Sequence, residues 1–90
     1  MKTGKVIGSV WATRKDDNLT GIKLMVIQPI NILDDSYTGY PVVAADFIGA
    51  GIGEKVIYVS GSSARVAAGG QHMPVDMTVI GIIDEKEVLE

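Results

Sequence analysis

In KVIGSVWAT (residues 5–13), Val6 and Val10 alternate with Ile7 and Trp11, and in KVIYVS (55–60), Val56 and Tyr58 alternate with Ile57 and Val59. Side chains along a strand point to opposite faces with a period of two, so both faces of these segments are apolar. A chain of 90 residues can turn only one such face into a core. The other has nothing of its own to pack against, and a large exposed apolar surface marks association. The pattern predicts a small β-rich unit that assembles with copies of itself.

The rest of the chain fits that reading. Residues 22–28 (IKLMVIQ) form a second predicted strand, reached through the turn-like RKDDNLTG. The polar, turn-rich NILDDSYTGYP leads into a third strand, VVAADFI (42–48). KVIYVS is the fourth, and the fifth lies in PVDMTVIGIID (74–84). Between the last two, SGSSARVAAGG offers a serine cap ahead of Ala64, Arg65, Val66, Ala67 and Ala68, closed by two glycines, which suits one or two helical turns. The charged tail DEKEVLE (84–90) suits either a short helix or frayed chain. Five short strands and one short helix, with no room for two stacked sheets, predict an all-β class: a small, partly closed five-stranded barrel of the OB type. A ferredoxin-like fold would need two full helices, which the sequence lacks.

Composition removes several function classes. No uninterrupted apolar stretch exceeds five residues, against the roughly 20 that span a bilayer. MKTGKVIGSV is cut by glycines and lacks a small-residue cleavage site, so cytosolic residence is expected. With no cysteine, disulfides, thiolate zinc sites and thiol catalysis are excluded. Eight basic residues against eleven acidic give a formal charge of −3, the wrong sign for phosphate-dominated nucleic-acid binding.

The stretch GAGIGEKV (49–56) raises the question of a phosphate-cradling loop. A dinucleotide fingerprint needs GxGxxG opening a helix, whose free N–H groups hold the pyrophosphate. Here the spacing is GxGxG and a strand follows, and Gly53 is followed by Glu54 and Lys55 without a GK[ST] ending. Glycine as geometry, through positive φ or close backbone approach, is the better reading. Ser62, Ser63, His72 and Asp76 contain the residue types of a hydrolase triad, but the serines lie in GSSAR instead of a GxSxG elbow. His72 with Asp76 supplies too few ligands for a metal without symmetry. The pairs Asp16–Asp17 and Asp34–Asp35 sit in turns, where aspartate caps its own backbone. No cofactor, metal or catalytic residue is assigned, and the chain is not read as an enzyme.

Trp11, Tyr37, Tyr40, Phe47 and Tyr58 suggest a base-stacking platform, and a single-strand-binding OB module is the alternative reading; the acidic balance argues against it. Trp11 reads as a core or interface anchor. Asp46 interrupts an apolar strand and, if buried, needs a cationic or N–H partner, with Arg65, Lys15 and Lys23 as the cationic candidates.

Several motifs, in order, resemble the EutN/CcmL family of pentameric microcompartment shell vertex proteins. GKVIGSVWATRK (4–15) is similar to the family's opening strand and LTGIKLMVIQPI (19–30) to its L-x-G-x-K-L second strand. AADFIGAGIGEKV (44–56) resembles its glycine segment, SGSSAR (60–65) its GSSAR, and PVDMTVIGIID (74–84) its closing motif. The chain departs from the pattern at 31–41, at 66–73 and in the tail. Taken together, the resemblance implies one vertex domain over 1–90, in a cyclic homopentamer that closes a polyhedral shell of hexameric tiles within the cytoplasm. It further implies a glycine loop, Gly49, Ala50, Gly51, Ile52 and Gly53, beside the fivefold axis. Trp11, Lys15, Asp46, Glu54, Arg65 and Asp76 are the candidates for the subunit boundary or for polar clamps. Neither nucleic acid nor membrane is expected as a partner.

Overall fold

The computed structural model describes residues 1–13 and 15–89. Arg14 of the opening motif and Glu90 of the tail lie outside the described residues. Five strands alternate with short connections: β1 (Lys2–Val10), β2 (Lys23–Pro29), β3 (Val42–Asp46), β4 (Lys55–Ser60) and β5 (Met77–Ile82). One helix, α1 (Ser62–Ala68), joins β4 to β5, and a single 3₁₀ turn, Asp17–Leu19, precedes β2. The strands close in the order β1-β2-β3-β5-β4, with β4 returning to β1. All pairings are antiparallel except β3 with β5, where Ala45 meets Thr78 and Asp46 meets Val79. Full closure leaves no free sheet edge for uncontrolled pairing. The barrel is closed, where the sequence predicted a partly closed one.

Alternation sets the inside. Val6, Met25, Ile27, Ala44, Val56, Tyr58 and Val79 fill the barrel, with Ala50 packed at its end. Each fully buried valine, isoleucine or methionine among them contributes about 1.5–3 kcal/mol. Burial also pushes the Tyr58 hydroxyl above the ordinary tyrosine range, so it stays neutral in the core. On the outside the two halves differ. Ile7, Val10 and Val43 stay exposed on β1 and β3. By contrast, α1 packs on β4 and β5 and Val59 is buried, so the expectation of an outer face without cover holds for only part of the barrel.

The element ends correct the sequence reading in five places. β1 starts at Lys2 because its first residues pair with β4, Lys2 against Tyr58 and Thr3 against Ile57. It stops at Val10, which leaves Trp11 beyond the ladder. β3 ends at Asp46, so Phe47 and Ile48 are not strand. β5 starts at Met77, after Pro74, which has no N–H to give a ladder. Finally, α1 has no serine cap. Gly61 is the N-cap with φ +64, a region closed to most L residues, and Ser62 and Ser63 lie inside the helix. The two glycines do close it: the Gly70 N–H donates to Arg65 O at 2.9 Å. No helix or strand forms in the described part of the tail.

Candidate functional site

The glycine stretch is built around Asp46, the last residue of β3. This carboxylate is only 4% exposed. Its Oδ1 accepts from the N–H groups of Ile48 (2.9 Å) and Gly49 (3.1 Å), and its Oδ2 from Ala50 (2.8 Å). Aspartate stops the strand because its side chain offers the next amides a local partner in place of the ladder. Lys23, opposite Asp46 on β2, donates to Ala50 O at 3.3 Å. Ala50 is thereby held from both sides and sinks into the end of the core.

The second half of the loop is held equally. Glu54 Oε1 accepts from the Gly51 N–H at 2.6 Å. The Gly53 N–H donates to Val6 O at 2.7 Å and the Val6 N–H to Glu54 O at 2.9 Å, which stitches the loop's return onto β1. Gly49 and Gly53 have φ of +95 and +94, so the two outer glycines meet the expectation of a left-handed backbone. Gly51 has no such φ and faces open space apart from the Glu54 carboxylate. The amides of 48, 49, 50, 51 and 53 are all engaged within the chain, so the loop spends its donors on its own carboxylates and carbonyls. That arrangement does not suit a phosphate. What it presents outward is apolar: Phe47, Ile48 and Ile52 are exposed on a rigid frame.

The remaining candidates are dispersed. Trp11 is 93% exposed, which removes the core reading and leaves the interface one as a proposal. Lys15 Nζ donates to Ala12 O. Arg65 Nε donates to Gln71 Oε1 at 3.1 Å, and the backbone carbonyl of Asp76 accepts from the Gly61 N–H. Within the chain, Asp46 is therefore satisfied by backbone N–H groups, and neither Lys15, Lys23 nor Arg65 is bonded to it. Ser62 and Ser63 stand exposed on α1, and no hydrogen bond joins them to His72 or Asp76 among the described residues. No group of three or more His, Asp or Glu residues is placed to hold a metal among the described residues.

Two polar contacts escaped the sequence reading. Gln28, nearly buried on β2, donates through Nε2 to the carbonyls of Pro29 (3.0 Å) and Gly39 (3.2 Å), pinning the 31–41 loop to the barrel. Thr78 Oγ1 donates to Ala64 O at 2.9 Å and fastens α1 to β5. A polar residue inside an apolar strand was the available signal in both cases.

Comparison with known proteins adds identity to the geometry. The family model described as ethanolamine utilisation protein EutN/carboxysome matches residues 1–84. The carboxysome shell vertex protein CcmL of Gloeobacter violaceus is 41% identical over 88 residues, covering 98% of this chain and 87% of its own. The microcompartment shell vertex protein GrpN of Rhodospirillum rubrum is 42% identical over 91 residues, covering 99% of each. Among solved structures, an ethanolamine utilization protein, EutN, superposes with a TM-score of 0.93 at 42% identity, covering 98% of this chain and 91% of that one. The pentameric GrpN shell protein of Rhodospirillum rubrum superposes with a TM-score of 0.88 at 40% identity over the whole of both chains.

Proposed function

From the membership of this chain in the EutN/CcmL family, we infer that it is a vertex protein of a bacterial microcompartment shell, acting as a homopentamer. Its place is the shell, within the cytoplasm. A cyclic ring of identical chains uses one heterologous interface that closes after five rotations. Flat hexagonal tiling cannot close on itself, and pentagons at the vertices supply the missing curvature. The function is shape: no bond is made or broken, and the chain needs no cofactor. Hexameric shell tiles are the partners this geometry requires, and one vertex domain spans the chain with the charged tail as an appendage.

The observation that carries this reading is the pairing of a rigid, internally satisfied glycine loop with an uncovered apolar sheet face. Ile7, Val10, Val43, Phe47, Ile48 and Ile52 are exposed in the single chain, a surface that copies of the chain would bury. We place Gly49–Gly53 at the fivefold axis, where five copies converge, and Trp11, Lys15, Arg65 and Asp76 at the subunit boundary. A single-stranded nucleic-acid module finds no support here, because the loop amides are already used and the chain is acidic.

Native mass tests the assembly. A species of about 47 kDa, five times the 9.5 kDa chain, is expected across a range of concentration. A stable monomer would overturn the reading. Gly51→Val tests the axis placement separately. Within one chain an added Cβ meets only the flexible Glu54 carboxylate, at 3.2 Å. The barrel should therefore fold with unchanged circular dichroism while the pentamer is lost. An intact Gly51→Val pentamer removes the loop from the axis and leaves the vertex role standing.

A further inference from the structure

Asp35 is the one non-glycine residue with positive φ among the described residues, at +60. It sits in a turn that braces itself. Asn31 Oδ1 accepts from the Leu33 N–H, Asp34 Oδ1 from the Ser36 N–H, and the Asp35 N–H donates to Asn31 O. An isolated bridge between Ile30 and Tyr37 closes its base. The turn thus holds its own backbone without the Asp35 carboxylate. That carboxylate is committed elsewhere: Oδ2 meets Lys55 Nζ of β4 at 2.5 Å, and Oδ1 meets Lys86 Nζ of the tail at 2.9 Å. Lys86 also donates to Ile32 O.

These contacts decide where the tail runs. The Ile83 N–H donates to Lys55 O at 2.9 Å, so the chain leaves β5 alongside the start of β4. From residue 84 to 89, the hydrogen bonds to the rest of the molecule among the described residues are those of Lys86. We propose that Asp35, Lys55 and Lys86 form an ionic latch that straps the C-terminal segment across the 31–38 turn and releases it when the charge on Asp35 is neutralised or screened.

The charged groups around the carboxylate are Lys55 from β4, Lys86 from the tail and Asp34 from its own turn. Hydrogen bonds from Lys55 and then Lys86 hold the Asp35 carboxyl below its ordinary value of 3.8. A depressed pKa fixes the sign: the latch is fully closed above the ordinary carboxylate range and opens as pH falls below it. All three side chains are about a third exposed, so salt also weakens the latch. All three members of the latch belong to one chain.

The absence of cysteine allows a clean test. A spin label on Leu89→Cys reads tail motion by electron paramagnetic resonance in the full-length chain. At neutral pH and low salt a restricted spectrum is expected. Asp35→Asn keeps a residue type that tolerates positive φ but removes the charge, and should shorten the label's correlation time by about twofold or more. Lys86→Gln, on an exposed tail that the fold does not need, should do the same with native mass unchanged. Raising salt to about 1 M, where the screening length is about 3 Å, should mobilise the unmodified tail and leave the Lys86→Gln tail unaffected. A label equally restricted, or equally mobile, in the parent and in Lys86→Gln overturns the latch.

Discussion

Asp46→Ala should lower the melting temperature by about 12 °C or more at fixed protein concentration. The carboxylate accepts three backbone N–H groups at 2.8–3.1 Å in a nearly buried position. Hydrogen bonds to a charged acceptor contribute about 1.5–3 kcal/mol each, and orphaned buried donors add a desolvation cost. Non-additivity brings the total to about 3–5 kcal/mol, and in a domain of this size each kcal/mol is about 4–8 °C. Asp46→Asn keeps one acceptor oxygen and should fall between the parent and alanine. Because the loop would lose its frame, Asp46→Ala should also lose the pentamer. A thermal scan that moves by less than about 4 °C would show that the loop holds its shape without this carboxylate.

Gly4 should prove the least replaceable glycine of the barrel. It pairs with Pro29 on one side and Val56 on the other. A Cβ there would lie 2.3 Å from Ile27 Cγ2, 3.1 Å from the Gln28 carbonyl oxygen and 3.2 Å from Tyr58 Cε1. The first two belong to the strand alongside, and a backbone oxygen cannot rotate away. Overpacking costs about 1–3 kcal/mol, and Gly4→Ala belongs at or above the upper end. Gly8→Ala, four residues along the same strand, meets nothing nearer than 3.8 Å and should change stability by less than about 1 kcal/mol. Ile27→Leu removes the clashing Cγ2 and should recover part of the Gly4→Ala loss, read as coupling in a double-mutant cycle. Two glycine variants with matching melting temperatures would refute the close approach.

Much of the fold was legible in the chain. KVIYVS is β4 as read, and IKLMVIQ overlaps β2 to within a residue at each end. Alternation places Val56 with Tyr58, and both are buried, but it also places Val6 with Val10, and a register shift between Val6 and Gly8 breaks the period and leaves Val10 exposed. Errors gathered at the ends of elements. Trp11 and Phe47 looked like strand because aromatic residues favour strands. One lies past the last paired residue, and the other follows an aspartate that takes the succeeding amides for itself. Composition predicts a serine cap ahead of Ala64, but the chain leaves β4 at an angle that favours glycine, and Gly61 takes the position.

The candidate site divides the same way. The sequence marked Asp46 as anomalous and the glycines as geometric, since a charge in an apolar run and a GxGxG before a strand are both visible along the chain. It did not distinguish Gly51 from Gly49 and Gly53, nor single out Gly4, whose surroundings come from β2 and β4. Asp35, Lys55 and Lys86 are 20 and 51 residues from their partners, too far for any local pattern to join them.

On its own, then, the sequence determined strand content, the family and the places where the backbone must turn sharply. Those follow from period, residue type and short-range sterics. Tertiary structure alone decided which face each copy leaves bare, which carboxylate the tail lysine meets and which glycine cannot bear a methyl group. Barrel closure and register bring distant atoms to within an ångström of contact or clash, and no property of a single segment carries that distance.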